Sequence, residues 1–299
     1  MGKRLIDQMD QVLPLIENPP TPYKTADEVP MVRFRWIHAQ CFQLELPDGK
    51  VLMTDPYFPQ HPTARREKDT PLLDLNDLGR VDYVVIGHPH YDHTENLPDV
   101  FRENSPIVIC DRMYARELSA TYQIPEYQIC PILPGQTYYF DSFKLEVVQA
   151  KHNDLGMVAD LEGKFVGHPE NPTFGPLNSY GSLFNNSFLF TLNNNFRLGF
   201  AIGVDVPTMA RAWKGQGLNL LIRQRMLYNH TEEFVRECEA IGAQMVLPMH
   251  QDACYDFNAD MNAFAQKVNE RFESDGVRMK LFNPQRLKWY TLKTGISLD

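Results

Sequence analysis

Several things are scarce in this sequence, and each scarcity removes a class of protein. Cysteine is the first: 299 residues hold five, at Cys41, Cys110, Cys130, Cys238 and Cys254. They are scattered, odd in number and never spaced as a CxxC pair, which argues against a disulfide scaffold and against a Cys-rich structural zinc site. Long apolar runs are missing too. No stretch approaches the roughly 20 residues that span a bilayer. The opening MGKRLIDQMDQVLPLI has a basic beginning, but Asp7, Gln8, Asp10 and Gln11 interrupt any signal-peptide core. Ile6 stands where the myristoylation pattern needs Ser or Thr. The expectation is a cytoplasmic protein with reduced thiols and no membrane contact. Positive charge is the third scarcity. Lys and Arg total 29 against 38 Asp and Glu, a net charge of -9, whereas binding to a phosphate backbone rests on clustered cations. Nucleic acid is therefore not an expected partner, although a local cation could still hold a small anionic substrate.

What is present is patterned. Leu5, Ile6, Met9, Val12, Leu13 and Ile16 recur at helical spacing and predict an amphipathic helix over residues 3–17. Pro19, Pro20, Pro22 and Pro30 then mark an irregular arm. This suggests a division into an N-terminal helix and proline-rich arm, 1–30, and a main domain, 31–299. The arm could serve a homo-oligomer contact or a lid. From Met31 the pattern turns strand-like, through VRFRWI and then CFQLELPDGKVLMTDP, where PDGK is a hairpin turn signal. Further strands are expected at 81–86, 106–110, 143–150, 187–192, 196–205 and 243–250. Helices are expected at about 96–103, 112–121, 231–241 and 259–273. For the third of these helices Asn229 or Thr231 is the candidate cap and Gly242 the stop. Residues 153–186, rich in Gly, Pro and Asn, form a long irregular segment of the kind that is more often functional than idle.

The stretch GHPHYDH, 87–93, follows the apolar run VDYVVI and spends three of the chain's nine histidines within six positions. Other polar residues repeat this placement. Asp55 ends KVLMTDP, His152 ends LEVVQAKH, Asp205 ends LGFAIGVD and His250 ends MVLPMH. In open α/β architectures the carboxyl ends of strands line the ligand crevice, so metal-competent side chains at five strand ends point to one site.

Together the HxHxDH motif at 88–93, the upstream TDP at 54–56 and the downstream His152, Asp205 and His250 resemble the metallo-β-lactamase fold superfamily, from about Met31 onward. The stretches RWIHAQCFQLEL, ILPGQTYYFDSFKLEVVQAKHND and VLPMHQDACYDFNAD look most like its L-ascorbate-6-phosphate lactonase-like branch. The resemblance implies an α/β fold, an αββα sandwich with the site at one edge, here preceded by the N-terminal helical arm. It implies that His88, His90 and His152 hold one metal and that Asp92, His93 and His250 hold a second. Asp205 would bridge the two, and Asp55 would orient the set from behind.

The chemistry of the residues agrees. Imidazoles and carboxylates without cysteine suit two divalent ions, zinc or manganese, with iron also compatible. Two such ions against two carboxylates leave about two positive charges, which draw an anion or polarise a carbonyl and generate hydroxide near neutral pH. Asp92 would orient that water or take its proton. The reaction class is metal-assisted hydrolysis of a small anionic substrate, a phosphorylated lactone or ester. A phosphodiesterase or nuclease of the same superfamily and a metal-stabilised binding protein without turnover are the alternatives. A flavodiiron-type oxidoreductase is set aside, because such relatives carry an acid at the position of His90 and add a flavodoxin domain. His38 stands where many relatives carry glycine, and Val204 replaces the usual glycine before Asp205. His168 and His230 fall in expected loops. Arg211, Lys214, Arg223 and Arg225 cluster after Asp205, where a solvated face competes with a phosphate grip.

Overall fold

Alternation along the strands decides which core each side chain joins. In β1 (Val29–His38), Val32, Phe34 and Trp36 face one way and Ile37 the other. The same split separates Phe42 and Leu44 from Cys41 in β2 (Cys41–Glu45), and Leu52 from Met53 in β3 (Val51–Thr54). It separates Tyr83 and Val85 from Val84 in β4 (Tyr83–Val85), and Ile109 from Val108 and Cys110 in β5 (Ile107–Asp111). With β6 (Ile129–Ile132) and β14 (Tyr290–Thr294) these make a seven-stranded sheet ordered β14-β1-β2-β3-β4-β5-β6. The second sheet contains β7 (Thr137–Tyr139), β8 (Phe143–Ala150), β9 (Asn185–Leu192), β10 (Arg197–Ala201), β11 (Leu218–Gln224), β12 (Ala243–Met249) and β13 (Lys280–Leu281), in the order β13-β12-β11-β10-β9-β8-β7. The computed structural model describes residues 29–64, 66, 68–152, 176–225, 231–252 and 260–294. The helix expected over 3–17, most of the proline arm, His168, His230 and Asn229 lie outside them.

One core lies between the sheets, where Phe34, Phe42 and Leu44 meet Phe143, Phe188, Phe190 and Phe200. Each fully buried Phe or Leu there contributes about 1.5–3 kcal/mol, more than an exposed ion pair such as Arg33–Glu45. The outer face of the first sheet is covered by α1 (Tyr91–Thr94), α2 (Leu97–Asn104), α3 (Arg112–Tyr122) and the one-turn α4 (Pro176–Ser179), through Leu97, Val100, Tyr114, Leu118 and Leu177. The outer face of the second is covered by α5 (Val206–Trp213), α6 (Thr231–Ile241) and α7 (Met261–Ser274), through Met209, Trp213, Phe234, Cys238, Phe264 and Phe272. The layers therefore run α, β, β, α, as the resemblance implies.

Strand direction then gathers the site. β3 to β6 are parallel to one another, and so are β10 to β13, while β8 and β10 each run antiparallel to β9. Parallel neighbours put their carboxyl ends at the same edge. Asp55 after β3, the histidine turn after β4, His152 after β8, Asp205 after β10 and His250 after β12 are consequently delivered to one rim. The PDGK hairpin forms between β2 and β3 with Gly49 at φ 81°, and Gly242 ends α6 at φ 79°. Several elements were not anticipated: the strands β6, β7, β11, β13 and β14 and the helices α1, α4 and α5. Among the described residues no helix is long and apolar enough to cross a membrane.

Candidate metal centre

Two triads of side chains converge at this rim. His88, His90 and His152 form one; Asp92, His93 and His250 form the other. Within each triad the possible ligand atoms lie within 4.8 Å of one another. His88 Nε2 and His90 Nδ1 are 3.0 Å apart. Two nitrogens at about 2.0–2.1 Å from one zinc would be separated by roughly 3 Å, so this spacing fits a shared ion. The His152 ring centre lies 5.0 Å from that of His88 and 4.6 Å from that of His90. In the second triad His250 Nε2 is 3.1 Å from Asp92 Oδ2, and His93 Nε2 is 3.9 Å from the same oxygen.

Asp55 explains the orientation of His93. Its Oδ2 lies 2.8 Å from His93 Nδ1, and its Oδ1 accepts the Gly87 N–H at 2.7 Å. A carboxylate only accepts, so the His93 proton sits on Nδ1 and Nε2 presents its lone pair. That Nε2 is buried without a hydrogen-bond partner, as is Nδ1 of His88. Leaving such an atom unsatisfied costs about 1–3 kcal/mol, and a cation at His93 Nε2 relieves it. The donor set therefore fits divalent ions.

The electrostatics agree. Burial, reinforced by the neighbouring imidazoles, drives His88 well below the usual histidine range and His90 down to about 3, so both remain neutral donors at physiological pH. Burial pushes the Asp92 carboxyl up, but His93 and His250 outweigh it and hold the acid below its ordinary range, ionised. Asp55 is raised by burial, with His93 and the Gly87 N–H pulling in the other direction.

The backbone is bent to fit. Asp55 at φ 36°, His250 at φ 66° and nearby Ala39 at φ 49° are non-glycine residues in the left-handed region, a strain that persists only where surrounding structure enforces it. Two glycines make room. A Cβ at Gly87 would lie 2.0 Å from Ile202 Cδ1, and one at Gly181 would lie 2.1 Å from His90 Cδ2. Gly181 belongs to the segment expected to pass the crevice, and its described end does so. Asn178 Oδ1 accepts the Tyr91 N–H at 2.9 Å, and Asn186 N donates to Gly87 O at 2.9 Å.

Asp205 stands at the same rim but joins neither triad. It caps α5, its Oδ1 accepting from Thr208 N at 3.3 Å, while Val204 N donates to Lys151 O beside His152. The basic cluster after it disperses. Arg223 is buried within β11, where it donates to Ala201 O and Gly203 O and pairs with Glu237 at 2.9 Å. Arg225 lies over the Phe264 ring at 4.5 Å. Arg211 and Lys214 are exposed. These four form no common grip. Sequence reading missed Gln40, Asn178, Asp252 and Arg286, and placed Gly181 only within the segment beside the crevice. Of these, only Asp252 carried a signal, being an acid two positions after His250.

Residues 51–168 match the model of the beta-lactamase superfamily domain. Over that stretch the chain is similar to the metallo-β-lactamase superfamily. A UPF0173 metal-dependent hydrolase of Salinibacter ruber is 22% identical over 77% of this chain and 88% of its own length. Across the curated relatives the shared stretch ranges from 22% to 88% of their lengths. Among solved structures, Igni18, a metallo hydrolase of Ignicoccus hospitalis, superposes with a TM-score of 0.60 at 18% identity, covering 89% of this chain and 99% of its own. An isothiocyanate hydrolase from Delia radicum gut bacteria gives 0.64 at 14% identity, covering 88% and 100%. At such identities these structures speak for the metallo-β-lactamase fold alone. The curated relatives are named metal-dependent hydrolases, and the donor set gathered at this rim suits metal binding.

Proposed function

We propose that this protein hydrolyses a small anionic substrate, a phosphorylated lactone or ester, at an ion pair held by the two triads. His88, His90 and His152 would hold one ion, and Asp92, His93 and His250 the other. The resemblance would add Asp205 to the residues that hold the ions; here its side chain caps α5. When bound, such ions polarise a carbonyl or phosphoryl oxygen and make water nucleophilic near neutral pH.

The chain's own residues supply the rest. Asp55 fixes the His93 tautomer. Asp92, ionised and 3.1 Å from His250, orients the attacking water through a carboxylate oxygen. His88 and His90 stay uncharged, leaving the loaded crevice cationic inside a chain of net charge -9. That contrast selects a local anion over a polyanion. The segment ending at Asn178 and Gly181 lies against the histidine turn, which favours compact substrates. The likeness to the ascorbate-6-phosphate lactonase-like branch directs the choice toward a phosphorylated lactone. The observation that carries the reading is the pairing of a neutral triad with an acid-containing one at a single rim.

The test is metal analysis of the purified chain coupled to turnover of phosphorylated lactones, phosphodiesters, thioesters and structured RNA. One to two transition-metal ions per chain and fastest turnover of a small anionic ester or lactone are expected. Structured RNA cleaved faster than every small substrate would overturn the substrate class in favour of a nuclease. Bound metal without any turnover would favour a binding protein.

A further inference from the structure

The turn between β1 and β2 touches the second triad at two points and the first triad at none of the contacts described. Ala39 spends both backbone groups on the His250 turn. Its carbonyl accepts the His250 N–H at 2.9 Å, and its N–H donates to Asp252 Oδ1 at 3.0 Å. The next residue, Gln40, is fully buried, and its Nε2 donates to the Asp92 carbonyl. One short turn is thus tied to Asp92 on one side and to His250 on the other, although those residues are 158 positions apart.

A buried ionic group fixes that turn. Arg286 Nη2 donates to Asp252 Oδ2, and Nη1 donates to Ile37 O at 2.7 Å. The guanidinium also lies 4.4 Å from the centre of the Trp36 ring, and Trp36 Nε1 donates back to Ala39 O at 3.0 Å. His38, with its side chain 1% exposed, places Nδ1 2.8 Å from Asp252 Oδ2 and 2.7 Å from Arg286 Nη1. Both contacts cannot be hydrogen bonds through the same nitrogen. The carboxylate can only accept, so a proton on His38 Nδ1 is the arrangement that bonds it to Asp252. Ala39 and His250 both hold left-handed φ values of 49° and 66°, so this turn needs an external restraint.

We propose that Arg286, Asp252 and His38 form a clamp that sets the spacing of Asp92 and His250, acting as positioning residues for the second triad and not for the first. The inference rests on the reading of the triads as ion sites. His90 depends instead on Gly181, whose missing side chain gives its ring room.

Calorimetric titration of the full, chelator-stripped chain with zinc alone tests it. Wild type is expected to show two binding events, and His90→Ala should remove the one belonging to the first triad. Arg286→Met should weaken the other event tenfold or more while leaving the first within about twofold, and Arg286→Lys should recover part of the loss. Gln40→Ala breaks a different link to the same triad and should weaken the same event. It decides the matter if circular dichroism shows Arg286→Met unfolded. Variants that bind both zinc ions as wild type does, or that weaken both events equally, would overturn the clamp. A wild-type chain that binds no zinc would instead overturn the two-ion reading beneath it.

Discussion

His88, His90 and His152 bring together three imidazoles and no charge. Asp92, His93 and His250 bring two imidazoles and an anion, with Asp55 behind them. The first triad draws two ligands from one short turn and makes space by omission, at Gly181. The second draws its outer ligand from β12 and is held by hydrogen bonds from Asp55, Gln40 and the Ala39 turn. Packing positions one half of the site; polar contacts and charge position the other. The difference teaches that the two halves should fail separately, because volume changes disturb the first and lost charges or hydrogen bonds the second.

The largest expected effect tests the charged half. Asp92→Asn keeps the shape but loses the anion, and turnover on a confirmed substrate should drop about a hundredfold or more, while metal content falls far less. Near wild-type rates would break the mechanism. Asp55→Asn should come next. Asparagine offers one acceptor where Asp55 uses two, for His93 and for the Gly87 N–H, and it carries no charge, so metal binding at the second triad should weaken roughly 10–100-fold, leaving the first triad as it was, as measured by site-resolved titration. The mirror experiment is Gly181→Ala. The added methyl collides with His90, and overpacking of this kind costs about 1–3 kcal/mol, read as weaker binding at the first triad alone. Equal damage to both triads from either variant would erase the distinction drawn above.

The smallest effect is on stability. His90 titrates near 3 in the folded, metal-free protein and near 6.5 when unfolded. Between those values the unfolded chain takes up a proton that the folded chain does not. Stability therefore falls as pH drops from 6.5 toward 3, and is restored on raising it. The urea midpoint of the metal-free protein should fall across that window, and fall less in His90→Ala. Identical pH slopes in both would remove the electrostatic half of the contrast.

Much of this was legible beforehand. The strand over 143–150 and the helix over 231–241 agree with β8 and α6 residue for residue, because apolar alternation and a terminal glycine speak plainly. The residues of both triads were named from strand ends, since parallel strands must gather them. β11 was hidden because its Arg223 and Gln224 read as surface. The guanidinium is in fact buried against Glu237 and two carbonyls, a pairing no local window contains. The helix α5 was obscured by Asp205 itself, read as a ligand and found capping. The roles of Arg286 and Gly181 were invisible for a related reason. They come from neighbours far along the chain, and neither residue sits in a motif of its own.

That distance has a consequence for how the protein is made. His38 and Arg286 touch across 248 positions, and β1 finds its outer neighbour β14 near the other end of the chain. At about 5–20 residues per second on the ribosome, the turn that grips Asp92 and His250 waits roughly 12 to 50 s for the arginine that secures it. Until then β1 has an open edge, and the histidine cluster exists without half of its frame. A nascent chain stalled before residue 286 would thus expose metal-hungry imidazoles in an unfinished sheet, which makes completion of the chain, rather than arrival of the ion, the step that protects this centre during synthesis.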